Sequence, residues 1–541
     1  MMRIPRFQYL GALALSAALV PTLASAQQVT AAGQQAAGEV DRYVVGQAVP
    51  EPLPGTTLLP LTLEEAMDIA LEKNLNLKAA RMNPQIVDYN LASARAAFTP
   101  QLTSQYSYRD AASPNNNRLE ERAIVNQIGQ TYNFGVNQTL PWLGGRFSVN
   151  FNNQRQSTNS SQALRNPAFN SNFQMNYTQP LLRGFRVDDT RNQIRTLGVQ
   201  RQIADIQLLT QIENLKANVR TAYWNLRQAI EQIEIQRRSL ELAQRLLQEN
   251  LTKVEIGTLA PIETTTSETQ VANAEQALLN AQIQWRTAEL ALKQLLAEGP
   301  NDEIYGVTIN PIDVPQMTVQ SVDIQSAVQR ALADRTDLVQ ARRNLDINRL
   351  SLEVTRDLTK PQLDLQAGYS VAGQNALLDD GTTTGYRTAL SQTFGFELPT
   401  WNLQFNFTYP LFMRAAKANY ARAQLQLQQS IAQLQAQELN VAAQVTNAGL
   451  AVENSYKQYL AAQKAREVAE RNAEAEQTRF DVGMSTNYNV VQAQTNLTQQ
   501  RLAELRAMIA YINALAEFER LQRVGGGGGG AAGGGGGNGG N

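Results

Sequence analysis

The side chains that most often carry enzyme chemistry are missing from this chain. Its 541 residues contain no histidine and no cysteine. That removes serine–histidine–aspartate and cysteine–histidine nucleophiles, histidine-relayed proton transfer, and thiolate or imidazole zinc sites. A carboxylate-only magnesium site or glycosidase pair stays formally open, since 48 Asp and Glu are present. No Gly-x-x-x-x-Gly-Lys-Ser/Thr loop occurs, and the glycine-rich stretch 525–541 opens no helix, so no nucleotide loop is built. The 47 basic residues leave a formal net charge of -1, which favours neither nucleic acid nor an anionic surface. No catalytic residue, metal ligand or cofactor is expected. A chain without thiols suits an oxidising compartment.

Two short turns repeat a pattern instead. One reads Lys253-Val254-Glu255-Ile256-Gly257-Thr258 and the other Arg479-Phe480-Asp481-Val482-Gly483-Met484. Each ends a long helical pattern, where glycine permits the positive φ that closes a helix. Lys253 and Arg479 lie one turn before their glycines, on the same helix face. Capping alone would account for these turns, so their meaning depends on what they join.

The chain is internally duplicated. Residues 66–102 align without a gap on 327–363, a shift of 261, with 13 of 37 positions identical. Both runs end in Pro-Gln-Leu, at Pro100 and Pro361. Each half then has one order of parts. A helical stretch (62–98; 322–358) leads through the proline corner into strands. These end at a second corner, Thr178-Gln179-Pro180 and Thr408-Tyr409-Pro410. A very long helix follows (about 190–252; about 411–478), then the glycine turn, then a closing helix (262–298; 487–522).

Heptads run through both long helices. Leu208, Ile212, Leu215, Val219, Ala222, Leu226, Ala229, Ile233, Gln236, Leu240, Ala243 and Leu247 keep strict 4-3 spacing. Leu427, Ile431, Leu434, Glu438, Val441, Val445, Ala448 and Val452 do likewise, broken only at Glu438. A sustained 3.5-residue period predicts left-handed coiled coils. The strand regions 101–181 and 361–412 hold 19 of the 36 aromatics, in alternation with Asn, Gln and Ser. Tyr132-Asn-Phe134-Gly-Val136 and Leu403-Gln-Phe405-Asn-Phe407 are examples. That pattern suits a transmembrane β-barrel with a wet lumen. A half-buried soluble sheet would alternate similarly. Pro141–Gly145 reads as a hairpin turn, which lengthens the first half by two strands and leaves the count at four or six per protomer.

The N-terminus carries Arg3 and Arg6, an apolar run from Tyr9 to Val20, and Ala24-Ser25-Ala26. This reads as a signal peptide (1–26), too short for a membrane span. No cysteine follows it to carry lipid. Mean hydropathy is -0.34, and no later stretch reaches 18 apolar residues.

The duplicated order, the Thr-Gln-Pro-Leu-Leu (178–182) and Thr-Tyr-Pro-Leu-Phe (408–412) corners, and the two basic-x-x-Val/Ile-Gly turns resemble the TolC-like outer membrane efflux proteins over about 62–522. The resemblance implies an α+β membrane protein. A long antiparallel coiled-coil tube in the periplasm would join a transmembrane β-barrel shared by a homotrimer in outer-membrane lipid. It implies a duct that passes small molecules, drugs or metals, from a periplasmic adaptor and an inner-membrane pump or ABC transporter. A type I protein-secretion duct has the same architecture. A structural periplasmic coiled coil is the remaining alternative. The family's adaptor-docking tip maps onto Lys253, Ile256, Gly257, Thr258, Arg479, Val482, Gly483 and Met484. Its acidic pore constriction maps onto Glu474, with Gln248 at the matching place in the first half. The expected organisation is a signal peptide (1–26), an extended linker (27–60), repeat 1 (61–310), repeat 2 (311–524) and a disordered glycine-rich tail (525–541).

Overall fold

The computed structural model describes residues 48–52, 55–115, 120, 122–315, 317, 322–379 and 381–525. The expected signal peptide, most of the expected linker and residues 526–541 lie outside them.

Each half opens with a capped helix. Thr62 and Glu65 form a capping box at the start of α1 (Leu63–Lys73). In the second half Asp323 caps α5 (Ile324–Asp334) by accepting from the Ser326 amide. These caps, 62 and 323, differ by the same 261 residues as the sequence repeat. The stretches expected as single helices are each broken. α1 gives way to α2 (Leu75–Arg95) at Asn74, and α5 gives way to α6 (Thr336–Asp357) at Arg335. These breaks also lie 261 apart. Asn74 leaves the helical region with ψ 121, accepts from the Leu77 amide and donates to the Leu295 carbonyl. Arg335 has ψ 128 and is buried between Asp337 and Gln444. Local caps together with polar contacts to distant helices overrode a helical pattern that the spacing alone would continue.

The long helices are α3 (Asp189–Glu255, 67 residues) and α8 (Arg414–Asp481, 68 residues). At 1.5 Å per residue each is a rod of roughly 100 Å. α3 folds back on α4 (Ile262–Leu296), and α8 folds back on α9 (Asn487–Arg523). α3 also packs on α9, which joins the two halves. Val441, Val445 and Val452 of the heptad seam are buried with Tyr511 and Phe518 of α9 and with Ala327, Ala331 and Leu338 of the second half's short helices. The polar break at Glu438 is met by Arg342 at 3.2 Å.

The middle of α3 is buried beyond its seam, at Tyr223, Trp224, Arg227 and Glu231. The cause is a two-stranded parallel sheet, β1 (Thr57–Leu61) with β6 (Val307–Pro311). Part of the expected linker is therefore a strand. Its run of five residues is too short to announce a strand when the partner lies some 250 residues away. Arg227 reaches the Pro311 carbonyl at 2.8 Å and Glu231 at 2.7 Å. The Tyr223 hydroxyl lies 3.0 Å from Asp313, and burial raises its pKa above the ordinary phenol value.

The remaining strands form one antiparallel sheet: β2 (Gln101–Pro114), β3 (Ile124–Thr139), β4 (Arg146–Thr158), β5 (Ala168–Pro180), β7 (Gln362–Gln374) and β8 (Pro399–Thr408). They are hydrogen-bonded in that order, so the first half supplies four strands and the second half two. The region expected as strands joined by a polar loop between 361 and 410 also contains a helix, α7 (Tyr386–Phe394), between β7 and β8. Residues 375–398 lack the alternation that runs through the strands on either side, and Ala389 is fully buried.

Within the α8–α9 hairpin, Arg466 bridges Glu470 and Glu504, each at 2.9 Å, and Arg501 adds a 2.7 Å bond to Glu470. Burial disfavours both carboxylates. At Glu470 the two guanidiniums outweigh it and lower the pKa; at Glu504 burial wins and raises it. Glu470 therefore adds stability that is complete above its unfolded pKa and is lost as pH falls through its lower folded value. Replacing Glu470→Gln should destabilise the hairpin by about 2 kcal/mol, below the roughly 3–5 of a fully buried pair. The thermal midpoint at pH 7 followed by circular dichroism would show this, and the variant's acid limb should be flatter.

Candidate functional site

The two glycine turns have the same backbone. Gly257 and Gly483 have φ +78 and +77, with open space where a Cβ would sit. The Thr258 amide bonds the Lys253 carbonyl at 2.9 Å and the Gly257 amide bonds that of Val254 at 3.0 Å. Met484 to Arg479 (2.7 Å) and Gly483 to Phe480 (3.1 Å) repeat both bonds. Each turn is a Schellman closure in which the basic residue's carbonyl accepts the outer bond.

The side chains of the turns are not equivalent. Lys253 Nζ sits 3.7 Å from the centroid of the Phe480 ring, a cation–π contact between α3 and α8. Arg479 points to solvent, with Glu476 at 3.4 Å. Ser485 in turn donates to Glu476. Ile256, Val482 and Met484 are exposed, Met484 at 79%. The turns thus present apolar tips beside the outward-facing, Glu476-paired Arg479.

Behind the turns lies a buried polar knot. Asn250 Nδ2 donates to Ser267 Oγ at 2.7 Å and to Asn487 Oδ1 at 2.8 Å. Asn487 donates to the Glu263 carboxylate at 3.2 Å. Asn250, Ser267 and Asn487 are all buried, and they tie α3, α4 and α9 together. The heptad reading stopped at Leu247. One further step lands on Asn250, a polar residue at a seam position, which was the available signal.

Glu474 is exposed on α8, and its backbone carbonyl accepts from Thr478 Oγ1 at 2.9 Å. The proline corners mark each change from helix to strand or back. Pro100 and Pro361 precede β2 and β7, while Pro180 ends β5 and Pro410 follows β8. At the Pro180 corner Gln179 donates to the Leu143 carbonyl at 2.7 Å, the Gly184 amide donates to buried Asp357 at 2.7 Å, and Arg191 donates to the Gly184 carbonyl at 2.9 Å. Gly144 has φ +69, and a Cβ there would lie 2.6 Å from the Gly184 carbonyl. The 141–145 turn is thereby clasped to the joint between sheet and long helix.

The sheet supplies a wall with two chemistries. One residue row crosses all six strands as Leu102, Val136, Val149, Met175, Tyr369 and Trp401. The adjacent row, on the other face, is Thr103, Gly135, Asn150, Gln174, Ser370 and Thr400. The polar face is crowded. A Cβ on Gly135 would lie 2.5 Å from Asn150 Oδ1 and 2.8 Å from Thr103 Oγ1, and one on Gly368 would collide with Asn402. A barrel with a wet lumen would turn this polar face inward as its concave side and the aromatic row outward as its convex side. Among the described residues no cluster of acidic side chains could hold a metal ion, and no helix is long and apolar enough to cross a membrane.

Solved structures share this fold. CusC superposes with a TM-score of 0.63 at 17% identity, covering 87% of this chain and 94% of its own. The Campylobacter jejuni CmeC outer membrane channel gives 0.60 at 16%, covering 85% of each chain. The Neisseria gonorrhoeae MtrE outer membrane channel gives 0.60 at 18%, covering 85% of this chain and 89% of its own. No curated protein matches the chain in sequence. The profile of the outer membrane efflux protein family matches residues 146–298 and 327–522, one span in each half. The chain belongs to the outer membrane efflux protein family, a TolC-like, non-enzymatic transport duct of the outer membrane.

Proposed function

We propose that three copies of this chain close one barrel and pass small molecules through it from a periplasmic adaptor and pump. The observation that carries the proposal is the open, even-stranded sheet. Its order leaves β2 and β8 as edges, and antiparallel order makes them run in opposite directions. The β8 edge of one copy therefore fits antiparallel against the β2 edge of the next. Three copies would close eighteen strands. Closure is obligatory in hydrocarbon, where an unpaired backbone edge costs several kcal/mol per group. The aromatic convex face meets lipid and the Asn- and Gln-rich concave face lines a wet lumen. Exposed Leu75, Met82, Ile86 and Tyr89 on α2 and Leu279, Ile283 and Leu290 on α4 supply apolar stripes for neighbouring copies. The duct does no work of its own, so energy comes from the inner-membrane partner.

The glycine turns are the docking tip. Exposed Ile256, Val482 and Met484 offer apolar contact, and Arg479 is the cation presented outward. Lys253, committed to Phe480, acts instead by holding the two hairpins together. Glu474 supplies one carboxylate per copy to a constriction, where three would attract cations.

Arg479→Glu should weaken adaptor capture about fivefold, the size of one exposed ion pair, without reducing detergent-resistant trimer. Site-specific crosslinking to the adaptor reads this, and unchanged crosslinking would remove the docking assignment. Glu474→Ala should raise single-channel conductance or abolish block by multivalent cations in planar bilayers. Identical currents in both proteins would sink the constriction.

A further inference from the structure

α7 lies on the face of the sheet that a closed barrel turns outward. Its side chains meet β4 and β5 through convex-face residues, and Gln392 also accepts from the Gln374 amide at the end of β7 at 3.0 Å. The Tyr386 hydroxyl bonds Asn153 Oδ1 at 2.5 Å. Thr393 Oγ1 bonds the Ser171 carbonyl at 3.3 Å. Phe394 packs on Phe151 with ring centroids 5.5 Å apart, and Tyr386 packs on Phe169 at 5.8 Å. Glycine is required beneath the helix, because a Cβ on Gly373 would collide with the Ala389 carbonyl. Asn153, Ser171, Ala389 and Thr393 are buried by this seating.

The outward side of α7 changes character along its length. Arg387 is exposed in the first turn, and Ser391 and Glu397 are the exposed polar residues further along. Phe394, Phe396 and Leu398, exposed at 63%, 54% and 57%, follow at the other end. Phe396 is held at φ +56, a left-handed conformation that strains a bulky residue. The chain then enters β8, whose exposed convex side chains Trp401, Leu403, Phe405 and Phe407 continue the apolar line toward the Pro410 corner. Water gives no return for presenting these rings together. Neighbouring copies would meet the sheet at β2 and β8, whereas α7 sits over the inner strands and faces away from the barrel axis. Lipid is the occupant that fits.

We propose that α7 and residues 395–398 form an interfacial anchor on the outside of the barrel. Phe394, Phe396 and Leu398 insert among acyl chains at the outer boundary of the bilayer, and Arg387 snorkels to the lipid headgroups. The proposal rests on the barrel reading given above. It goes further by placing a helix, not only strands, against lipid, and by fixing the height at which the wall leaves the membrane.

The absence of cysteine makes the test direct. Single substitutions Phe394→Cys, Phe405→Cys and Asn150→Cys in the full chain would be nitroxide-labelled and reconstituted in phosphatidylethanolamine–phosphatidylglycerol vesicles. Power saturation with oxygen against a water-soluble nickel chelate reads depth. The label at 394 should be in lipid and shallower than that at 405, with 150 aqueous. Adding Gly373→Val should shift the label at 394 toward water and leave 405 unmoved. An aqueous label at 394 with 405 in lipid overturns the anchor and spares the barrel. Aqueous labels at both 394 and 405 overturn both. A label at 394 indifferent to Gly373→Val overturns the seating of α7 on the sheet.

Discussion

Backbone hydrogen bonding at the open edges of the six-stranded sheet governs the rest of this molecule. β2 and β8 have no mutual partner within one chain. In water such edges are a liability, and in hydrocarbon they are untenable. In the proposed trimer, pairing between copies would resolve this, because an even strand number leaves edges of opposite direction. Once the sheet is shared, the polar corners must turn the chain out of the wall into long helices at matching positions. That explains why the joint carries so many local bonds: Gln179 to Leu143, Gly184 to Asp357 and Arg191 to Gly184 each fix a bend. The duplication then follows as economy of design, with one helix–strand–helix unit used twice.

The two uses are unequal in ways that bear on transport. The first half has the clasped 141–145 hairpin, so it builds more of the wall. The second half has α7, which sits on that wall. At the tip the glycine closures are alike to within a degree of φ, yet Lys253 stacks on Phe480 while Arg479 faces solvent. The turns thus share a backbone with different side-chain commitments: Arg479 stays on the outside, while Lys253 holds the two hairpins together. The buried Asn250–Ser267–Asn487 knot strengthens that second role, since breaking it would strand amides in a dry seam.

Much of this was legible in the sequence. The ungapped 261-residue shift reappears as matching caps at 62 and 323 and matching breaks at 74 and 335. Heptad spacing located Val441, Val445 and Val452 in the core, and alternation separated the two faces of the wall. What escaped has one physical character. The breaks at Asn74 and Arg335, the β1–β6 pair and the bond from Arg227 to Pro311 depend on partners far away in the chain. Periodicity reports a residue's own face and is silent about what covers it. The polar knot was closer to view, because Asn250 falls on the next heptad step.

The wall also limits what the duct can select. Its concave face carries Asn, Gln, Ser and Thr in adjacent rows, with glycine where side chains would collide. Uncharged amides and hydroxyls trade hydrogen bonds with water and with most solutes at similar cost, so the lumen discriminates by width more than by chemistry. With the proposed constriction, discrimination would belong at the helical tip, where Glu474 and the glycine turns lie within a few helical turns of each other along α8. A partner coupled to that tip, as proposed, would touch the duct beside the charge proposed to filter it.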